Sequence, residues 1–209
     1  YCALVAAGVM TADDAIRTVR ERGILMQEAV PAGVGGMSAV LGMTADEINA
    51  VVDEIPNVQV ANYNCPGQIV ISGLKEAVET AAVKLKEAGA RRVIPLNVSG
   101  PFHSYLLEEA GEKLGRFLEN IPVSEPVIPY VANVTAAYVT KAEDVKPLLT
   151  RQVFSSVRWQ QSVETMLADG VDRFIEIGPG KTLAGFIRKI NREATVINIE
   201  KFEDLEKLN

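Results

Sequence analysis

The 209-residue chain is poor in the residues that metal sites and structural disulfides require. Its only histidine is His103, and its two cysteines, Cys2 and Cys65, lie far apart and outside any CxxC motif. One histidine and two isolated cysteines argue against a zinc site. This cysteine usage is typical of free thiols in a reducing cytosol, so the sequence predicts no metal ligands and a cytoplasmic location.

Long apolar runs and an excess of positive charge are also missing from the sequence. No segment approaches the roughly 18–20 consecutive apolar residues of a membrane span, and no secretory signal pattern opens the chain. The 21 lysines and arginines are outnumbered by 27 acidic residues, which gives a net charge of −6. This balance argues against nucleic acid or an anionic membrane as the main partner, because both favour clustered Lys and Arg.

Hydrophobic periodicity divides the chain into two kinds of segment. Residues 33–97 show the order strand, helix, strand, strand, helix, strand, which predicts a ferredoxin-like (βαββαβ) subdomain. Residues 1–32 and 98–209 alternate helices with apolar strands, which predicts a core with a mostly parallel, buried sheet. We therefore expect an α/β fold in which the small subdomain is inserted into the larger core.

The segment 11–30 has the pattern of an amphipathic helix that begins at Thr11, with Asp14 in a capping-box-like position. Arg22 lies at the edge of the apolar face. Periodicity alone favours an interpretation in which the aliphatic part of its side chain covers the rim of the core and the guanidinium reaches solvent. The residues predicted to form that face are Ile16, Val19, Gly23, Met26 and Val30.

Three motifs suggest chemistry but do not meet its requirements. The stretch GPGKT (178–182) has Ile175 where a phosphate-binding loop needs glycine, so it predicts a strand-to-helix turn. Cys65 lies in the turn NYNCPGQ, where a small buried thiol is a better interpretation than a nucleophile. No G-x-S-x-G elbow is present, because GMSAV (36–40) fails at its last position.

His103 follows a Gly-Pro turn in SGPFHS and precedes a predicted helix. An imidazole with an ordinary pKa of about 6.5 is suited to general-base catalysis, and sites collect in loops at strand ends. A lone histidine is also common as a plain surface or core residue, so the residues alone leave both interpretations open. A base needs a nucleophile as its partner, and the sequence shows no serine in a suitable setting.

Five blocks in order resemble the malonyl-CoA:acyl carrier protein transacylases of fatty-acid synthesis: residues 1–43, NYNCPGQIVISG, VSGPFHS, RQVFSSVRW and EIGPGKTL. The resemblance implies a hydrolase-like α/β core with an inserted ferredoxin-like subdomain. It also implies ping-pong acyl transfer without a cofactor, since coenzyme A thioester and phosphopantetheine enter as substrates. A serine takes malonyl from malonyl-CoA and passes it to the phosphopantetheine thiol of acyl carrier protein.

The resemblance implies a role for each of several residues. His103 is the base that activates the serine, and Gln152 orients His103 through its main-chain carbonyl. Arg22 binds the malonyl carboxylate, which a guanidinium can hold with two parallel hydrogen bonds while disfavouring uncharged acyl groups. Phe102, beside the base, is expected to disfavour methylmalonyl.

Three further residues have two interpretations each. Met26 is expected either to line the acyl pocket or to fill the core. Asn62 and Asn64 are expected to line the cleft between the subdomains, although formation of a turn is the simpler account.

The sequence departs from the family pattern at one important point. The elbow serine and the oxyanion-hole glutamine that the family carries are not in the chain, and Tyr1 corresponds to a position three residues after that serine. We therefore expect the chain to be the C-terminal two-thirds of the enzyme and inactive alone. The alternatives are a non-catalytic module that binds acyl-CoA or acyl carrier protein, and an acyltransferase that loads polyketide extender units.

An acidic carrier protein requires a local basic surface on a chain that is itself net negative. The candidates are two groups, Arg188 with Lys189 and Arg192, and Arg91 with Arg92. An ordinary solvated charged surface explains the same residues equally well.

Overall fold

The computed structural model describes residues 1–208, which form eight α-helices and eight β-strands. No helix in this range is both long and apolar enough to cross a bilayer. The helices are α1 Cys2–Ala6, α2 Ala12–Ala29, α3 Ala45–Val52, α4 Lys75–Glu87, α5 Glu108–Leu118, α6 Ala142–Gln152, α7 Trp159–Ala168 and α8 Thr182–Ile190. The strands are β1 Gly35–Leu41, β2 Val58–Cys65, β3 Gln68–Leu74, β4 Arg92–Pro95, β5 Tyr130–Ala132, β6 Ala137–Val139, β7 Arg173–Ile177 and β8 Thr195–Ile199. Short 3-10 helices span Tyr105–Leu107 and Phe202–Leu208.

The first four strands form one antiparallel sheet in the order β4-β1-β3-β2. With α3 and α4 between the strands in sequence, this is the predicted ferredoxin-like arrangement. Alternate residues of the strands, such as Val40, Ile71 and Val93, share a buried cluster with Ile48 of α3 and Leu85 of α4. The apolar face of the strands, with its period of 2, and the apolar faces of the helices, with their period of 3.6, therefore pack together in one small core.

A second core is formed by α1, α2, α5 and α6, and a third lies between α7, β7 and α8. The α/β class predicted from the sequence is confirmed. The division into a core of residues 1–32 and 98–209 and a subdomain of residues 33–97 stays a prediction. Main-chain hydrogen bonds join the two parts, because Val157 donates to Ala61 at 2.7 Å and Tyr63 donates to Val157 at 2.9 Å.

Outside residues 35–95, the described strands form an antiparallel pair, β5–β6, and a parallel pair, β7–β8. The predicted parallel sheet is thus represented within residues 1–208 by two strands. Only one face of β7 is covered, since Phe174 is buried whereas Ile175 and Ile177 are 45% and 80% exposed. Helices α7 and α8 pack on the side of Phe174 and leave the opposite side open.

Helix α2 begins as predicted, with the Thr11 hydroxyl accepting a hydrogen bond from the Asp14 amide at 3.1 Å. Its predicted apolar face is wrong in part, because Ile16 and Val19 are 67% and 46% exposed and Gly23 is exposed.

The buried line of α2 runs instead through Ala15, Thr18 and Met26, and Arg22 lies on the same line. Small side chains let the helix approach α5, and Thr18 can be buried because its hydroxyl donates to the Asp14 carbonyl at 2.7 Å. The sequence pattern therefore predicts the helix correctly, but the buried face is rotated about the helix axis relative to the predicted one.

We predict that Gly73→Ala destabilises the protein by about 3 kcal/mol or more, because it adds an atom where two strands meet. A Cβ at Gly73 would lie 2.7 Å from Val58 Cα and would also overlap the Asn57 carbonyl oxygen. Urea unfolding measures the effect. The matched control is Gly185→Ala in α8, where nothing lies within 4 Å and the change should stabilise the helix by roughly 0.5–1 kcal/mol. Equal effects of the two variants would contradict this packing argument.

Candidate active site

His103 lies in a tight loop between β4 and the 3-10 helix Tyr105–Leu107. Its backbone has a φ of +58°, a left-handed conformation that costs energy for a residue other than glycine. The loop is closed locally, because the Ser104 hydroxyl donates to the Pro101 carbonyl at 2.7 Å and the Leu107 amide donates to the Ser104 carbonyl at 3.0 Å. These hydrogen bonds stabilise the loop in which His103 has a main-chain conformation that a non-glycine residue rarely adopts.

The imidazole Nδ1 of His103 lies 2.9 Å from the main-chain carbonyl oxygen of Gln152. Gln152 is the last residue of α6, where carbonyl groups have no partner further along the helix. A carbonyl oxygen can only accept, so Nδ1 carries the proton and Nε2 presents a lone pair. The contact expected from the resemblance is present, and it leaves Nε2 in the form that a base requires.

Burial lowers the pKa of His103 from its ordinary value of 6.5, and the positive charge of Arg22 lowers the pKa further. Backbone hydrogen bonds with Gln152 and Ser155 act in the opposite direction. Because burial is the largest of these effects, the imidazole is neutral at pH 7.

Six of the predicted site residues line one cavity of about 530 Å³, although they come from three separate parts of the chain. Arg22 and His103 also line an adjoining cavity of about 330 Å³, to which Gln152 and Tyr1 contribute. The six residues are Arg22 and Met26 of α2, Asn62 and Asn64 of β2, and Phe102 and His103 of the loop.

The two asparagines lie on strand β2, so their interpretation as turn residues is wrong. Met26 is buried in the main core and also lines the cavity, and its contact with an acyl group stays a prediction. Phe102 packs against the buried residues Met37, Ala61 and Val70, on the face of the four-stranded sheet opposite α3 and α4. That sheet therefore forms one wall of the cavity.

The two groups of basic residues lie at the same end of the four-stranded sheet. Lys189 donates to the Gln68 side chain at 3.2 Å, and Leu41 pairs with both Gln68 and Arg92 across neighbouring strands. Within residues 1–208 the basic residues of both groups form no ion pair. The basic residues are Arg91, Arg92, Arg188, Lys189 and Arg192, all of them exposed.

The protein's own carboxylates accept hydrogen bonds from an amide of the GPGKT loop and from two amides at the start of α8. Glu176 accepts hydrogen bonds from the Leu183 amide at 3.1 Å and the Ala184 amide at 2.9 Å, and Glu200 accepts one from Gly180 at 3.1 Å. A phosphate would have to displace two like charges, so the loop is a structural turn.

Cys65 is buried, and burial raises the pKa of its thiol. A protonated, enclosed sulfur is a poor nucleophile, in agreement with the sequence interpretation. Within residues 1–208, no serine hydroxyl forms a hydrogen bond to the imidazole of His103.

Gln59 contacts the His103 loop and was not found from the sequence. Its side chain lies on β2 and forms hydrogen bonds with the His103 carbonyl at 3.2 Å and the Tyr105 amide at 3.0 Å. In the stretch VQV, a glutamine between two apolar residues has the pattern of a solvent-facing strand position. Nothing in that local pattern could have indicated a contact 44 residues away.

The model of the acyl transferase domain family matches residues 1–203. The malonyl CoA-acyl carrier protein transacylase of Bacillus subtilis is 48% identical over 210 residues, covering 99% of this chain and 66% of that protein.

Two solved structures are similar along nearly the whole chain. The acyl carrier protein S-malonyltransferase of Vibrio cholerae has a TM-score of 0.96 and 41% identity, with 99% of this chain and 68% of that chain covered. A malonyl-transacylase solved in complex with a type II PKS acyl-carrier protein has a TM-score of 0.94 and 40% identity, with 98% and 67% covered. The chain therefore spans about two thirds of the length of these relatives.

We predict that the pKa of His103, followed by NMR titration, lies below 6.5 and rises in Arg22→Gln, because that variant removes a positive charge beside the imidazole. The matched control is Arg20→Gln, which removes the same charge from an exposed position of the same helix. It should leave the pKa unchanged. A His103 pKa at or above 6.5 would contradict the electrostatic description of the site.

Proposed function

The chain belongs to the acyl transferase domain family, and from that premise we propose that it serves the transfer of malonyl from malonyl-CoA to the phosphopantetheine thiol of an acyl carrier protein in fatty-acid biosynthesis. The observation that carries the proposal is that Arg22 and His103 line the same cavity. A base and a guanidinium in one cavity are suited to an acyl thioester that carries a carboxylate.

In the proposed reaction, Nε2 of His103 accepts the proton of a serine hydroxyl as the serine oxygen attacks the thioester carbonyl. The carbon–sulfur bond then breaks, and coenzyme A leaves as the thiol with that proton. In the second half, His103 accepts the proton of the phosphopantetheine thiol as its sulfur attacks the malonyl ester. The serine oxygen leaves and recovers the proton from His103.

The Gln152 carbonyl supports both halves of this reaction. It accepts the Nδ1 proton of His103 at 2.9 Å, so the neutral ring keeps its lone pair on Nε2. When the ring becomes cationic, the same carbonyl still faces an N–H group and stabilises it.

Arg22 is proposed to bind the malonyl carboxylate with two parallel hydrogen bonds. An acetyl group would leave this guanidinium without a partner, so the site should select malonyl. Phe102, Met26, Asn62 and Asn64 line the rest of the cavity and are proposed to contact the acyl group and the thioester arm. The ring of Phe102 leaves less room for the α-methyl group of methylmalonyl.

The attacking serine is proposed to lie outside the 209 residues. The relatives are about half again as long as this chain, and the imidazole has no serine partner within residues 1–208. The chain alone should therefore not catalyse transfer. A second candidate is the loading of polyketide extender units by the same chemistry, because one similar structure is a complex with a type II PKS acyl-carrier protein.

We predict that His103→Ala in the complete protein lowers the rate of malonyl transfer by about 10²–10⁴-fold, the usual contribution of a general base. Arg22→Ala should lose the preference for malonyl-CoA over acetyl-CoA in the same transfer assay. Arg20→Ala is the control for both. Unchanged activity in His103→Ala would reject the base, and a complete protein that binds malonyl-CoA without transferring it would favour a non-catalytic binding module.

The basic residues near the end of the sheet, Arg91, Arg92, Arg188, Lys189 and Arg192, are proposed to contact the acidic carrier protein. Reversal of charge at Arg188 and Lys189 should raise the KM for carrier protein and leave the KM for malonyl-CoA unchanged. The control reverses Lys84 and Lys86, which lie in the last turn of α4. An equal effect on both KM values, or an equal effect of the control, would reject this docking surface.

A further inference from the structure

We propose that Gln59 is a positioning residue for His103, so that the ferredoxin-like sheet sets the orientation of the base. This inference rests on the proposed function, since it concerns how the same histidine acts. Gln59 does not reach the substrate cavity through any contact of its own. It acts on the main chain of the His103 loop and on that of Phe154, two residues after Gln152.

The Gln59 amide joins three points of the chain. Its Nε2 donates to the His103 carbonyl at 3.2 Å and, at the longer distance of 3.5 Å, to the Phe154 carbonyl. Its Oε1 accepts a hydrogen bond from the Tyr105 amide at 3.0 Å. One side chain therefore connects the loop that carries the imidazole with the segment that follows Gln152.

The partners determine which way the amide is turned. An NH₂ group has two hydrogens, which match the two carbonyl oxygens, and the remaining oxygen matches the Tyr105 N–H. In the opposite orientation the amide oxygen would face the carbonyl oxygens of His103 and Phe154. The NH₂ group would face the Tyr105 N–H, and none of the three hydrogen bonds could form. The arrangement therefore distinguishes glutamine from glutamate, which has the same shape but no donor when ionised.

Regular structure on both sides holds Gln59 in its place on β2. Its neighbours Val58 and Val60 are buried in the core shared with α3 and α4, and Gln59 pairs with Ser72 of β3. Sites held by regular elements are more precise than sites held by loops alone. The four-stranded sheet therefore provides a fixed reference point for a loop whose histidine has a left-handed backbone.

The consequence concerns the alignment of Nε2. His103 and Phe154 both bond to one amide, which limits how far they can move apart, and Gln152 lies only two residues before Phe154. Without the amide, the loop and the end of α6 could shift relative to each other and lengthen the Nδ1–carbonyl hydrogen bond. Displacements of about 1 Å in catalytic geometry can reduce rates by about 10²-fold.

The test compares Gln59→Glu and Gln59→Met with the wild type in the complete protein. Both variants remove the two donors, and we expect kcat for malonyl transfer to fall about 10–100-fold with the KM for malonyl-CoA changed less than about twofold. Circular dichroism shows whether each variant folds. If Gln59→Glu does not fold, the kcat of Gln59→Met alone tests the proposal. The control is Gln160→Met, which removes an amide of the same kind that donates to Glu164 on α7 at 2.8 Å, away from the His103 loop, and should leave kcat unchanged.

A second readout does not depend on activity. The ¹⁵N shifts of the His103 imidazole, assigned by their loss in His103→Ala, should report a proton on Nδ1 in the wild type and a mixture of tautomers in the Gln59 variants. Folded variants with wild-type kcat and wild-type imidazole shifts would overturn the proposal for Gln59. A wild-type protein without malonyl transfer would instead overturn the proposed function, and the shifts would still test Gln59.

Discussion

The hydrogen bond between the His103 ring and the main-chain carbonyl of Gln152 is the interaction on which the rest of the site depends. It joins two residues 49 positions apart and determines which ring nitrogen carries the proton. A carbonyl orients the ring without adding a negative charge. Burial and Arg22 can therefore lower the pKa of His103, whereas a carboxylate in the same place would raise the pKa.

The place of Arg22 on α2 suits it both to an effect on His103 and to the proposed binding of a carboxylate. It lies on the inward line with Ala15, Thr18 and Met26, where it faces the cavity and the imidazole together. Its charge favours the neutral form of the imidazole, and in the proposed function it binds the substrate carboxylate. The cavity keeps the guanidinium partly accessible to solvent, which reduces the cost of burying its charge.

The site lies where the antiparallel sheet meets the helical core. Strand β2 presents Asn62 and Asn64 to the cavity, bonds to Val157 through its main chain, and carries Gln59 toward the His103 loop. The sheet is therefore both a wall of the cavity and a support for the His103 loop. Its own small core, separate from the main one, gives that support a stable geometry.

Local patterns in the sequence were sufficient for the ferredoxin-like order of strands and helices, the Thr11 cap and the turn at GPGKT. These features depend on residues within a few positions of each other. The ordered motifs also located His103, Arg22 and Gln152, although the role of each stays a prediction.

Only the tertiary structure decided which side of α2 is buried, because that choice depends on what the helix packs against. It also decided the pairing of β7 with β8 and the contact of Gln59. The acceptor for His103 is a main-chain carbonyl, a group that every residue has. The identity of residue 152 as glutamine therefore does not by itself indicate this contact. Local periodicity specifies what elements form, whereas the burial and hydrogen bonds of the folded chain determine which groups meet.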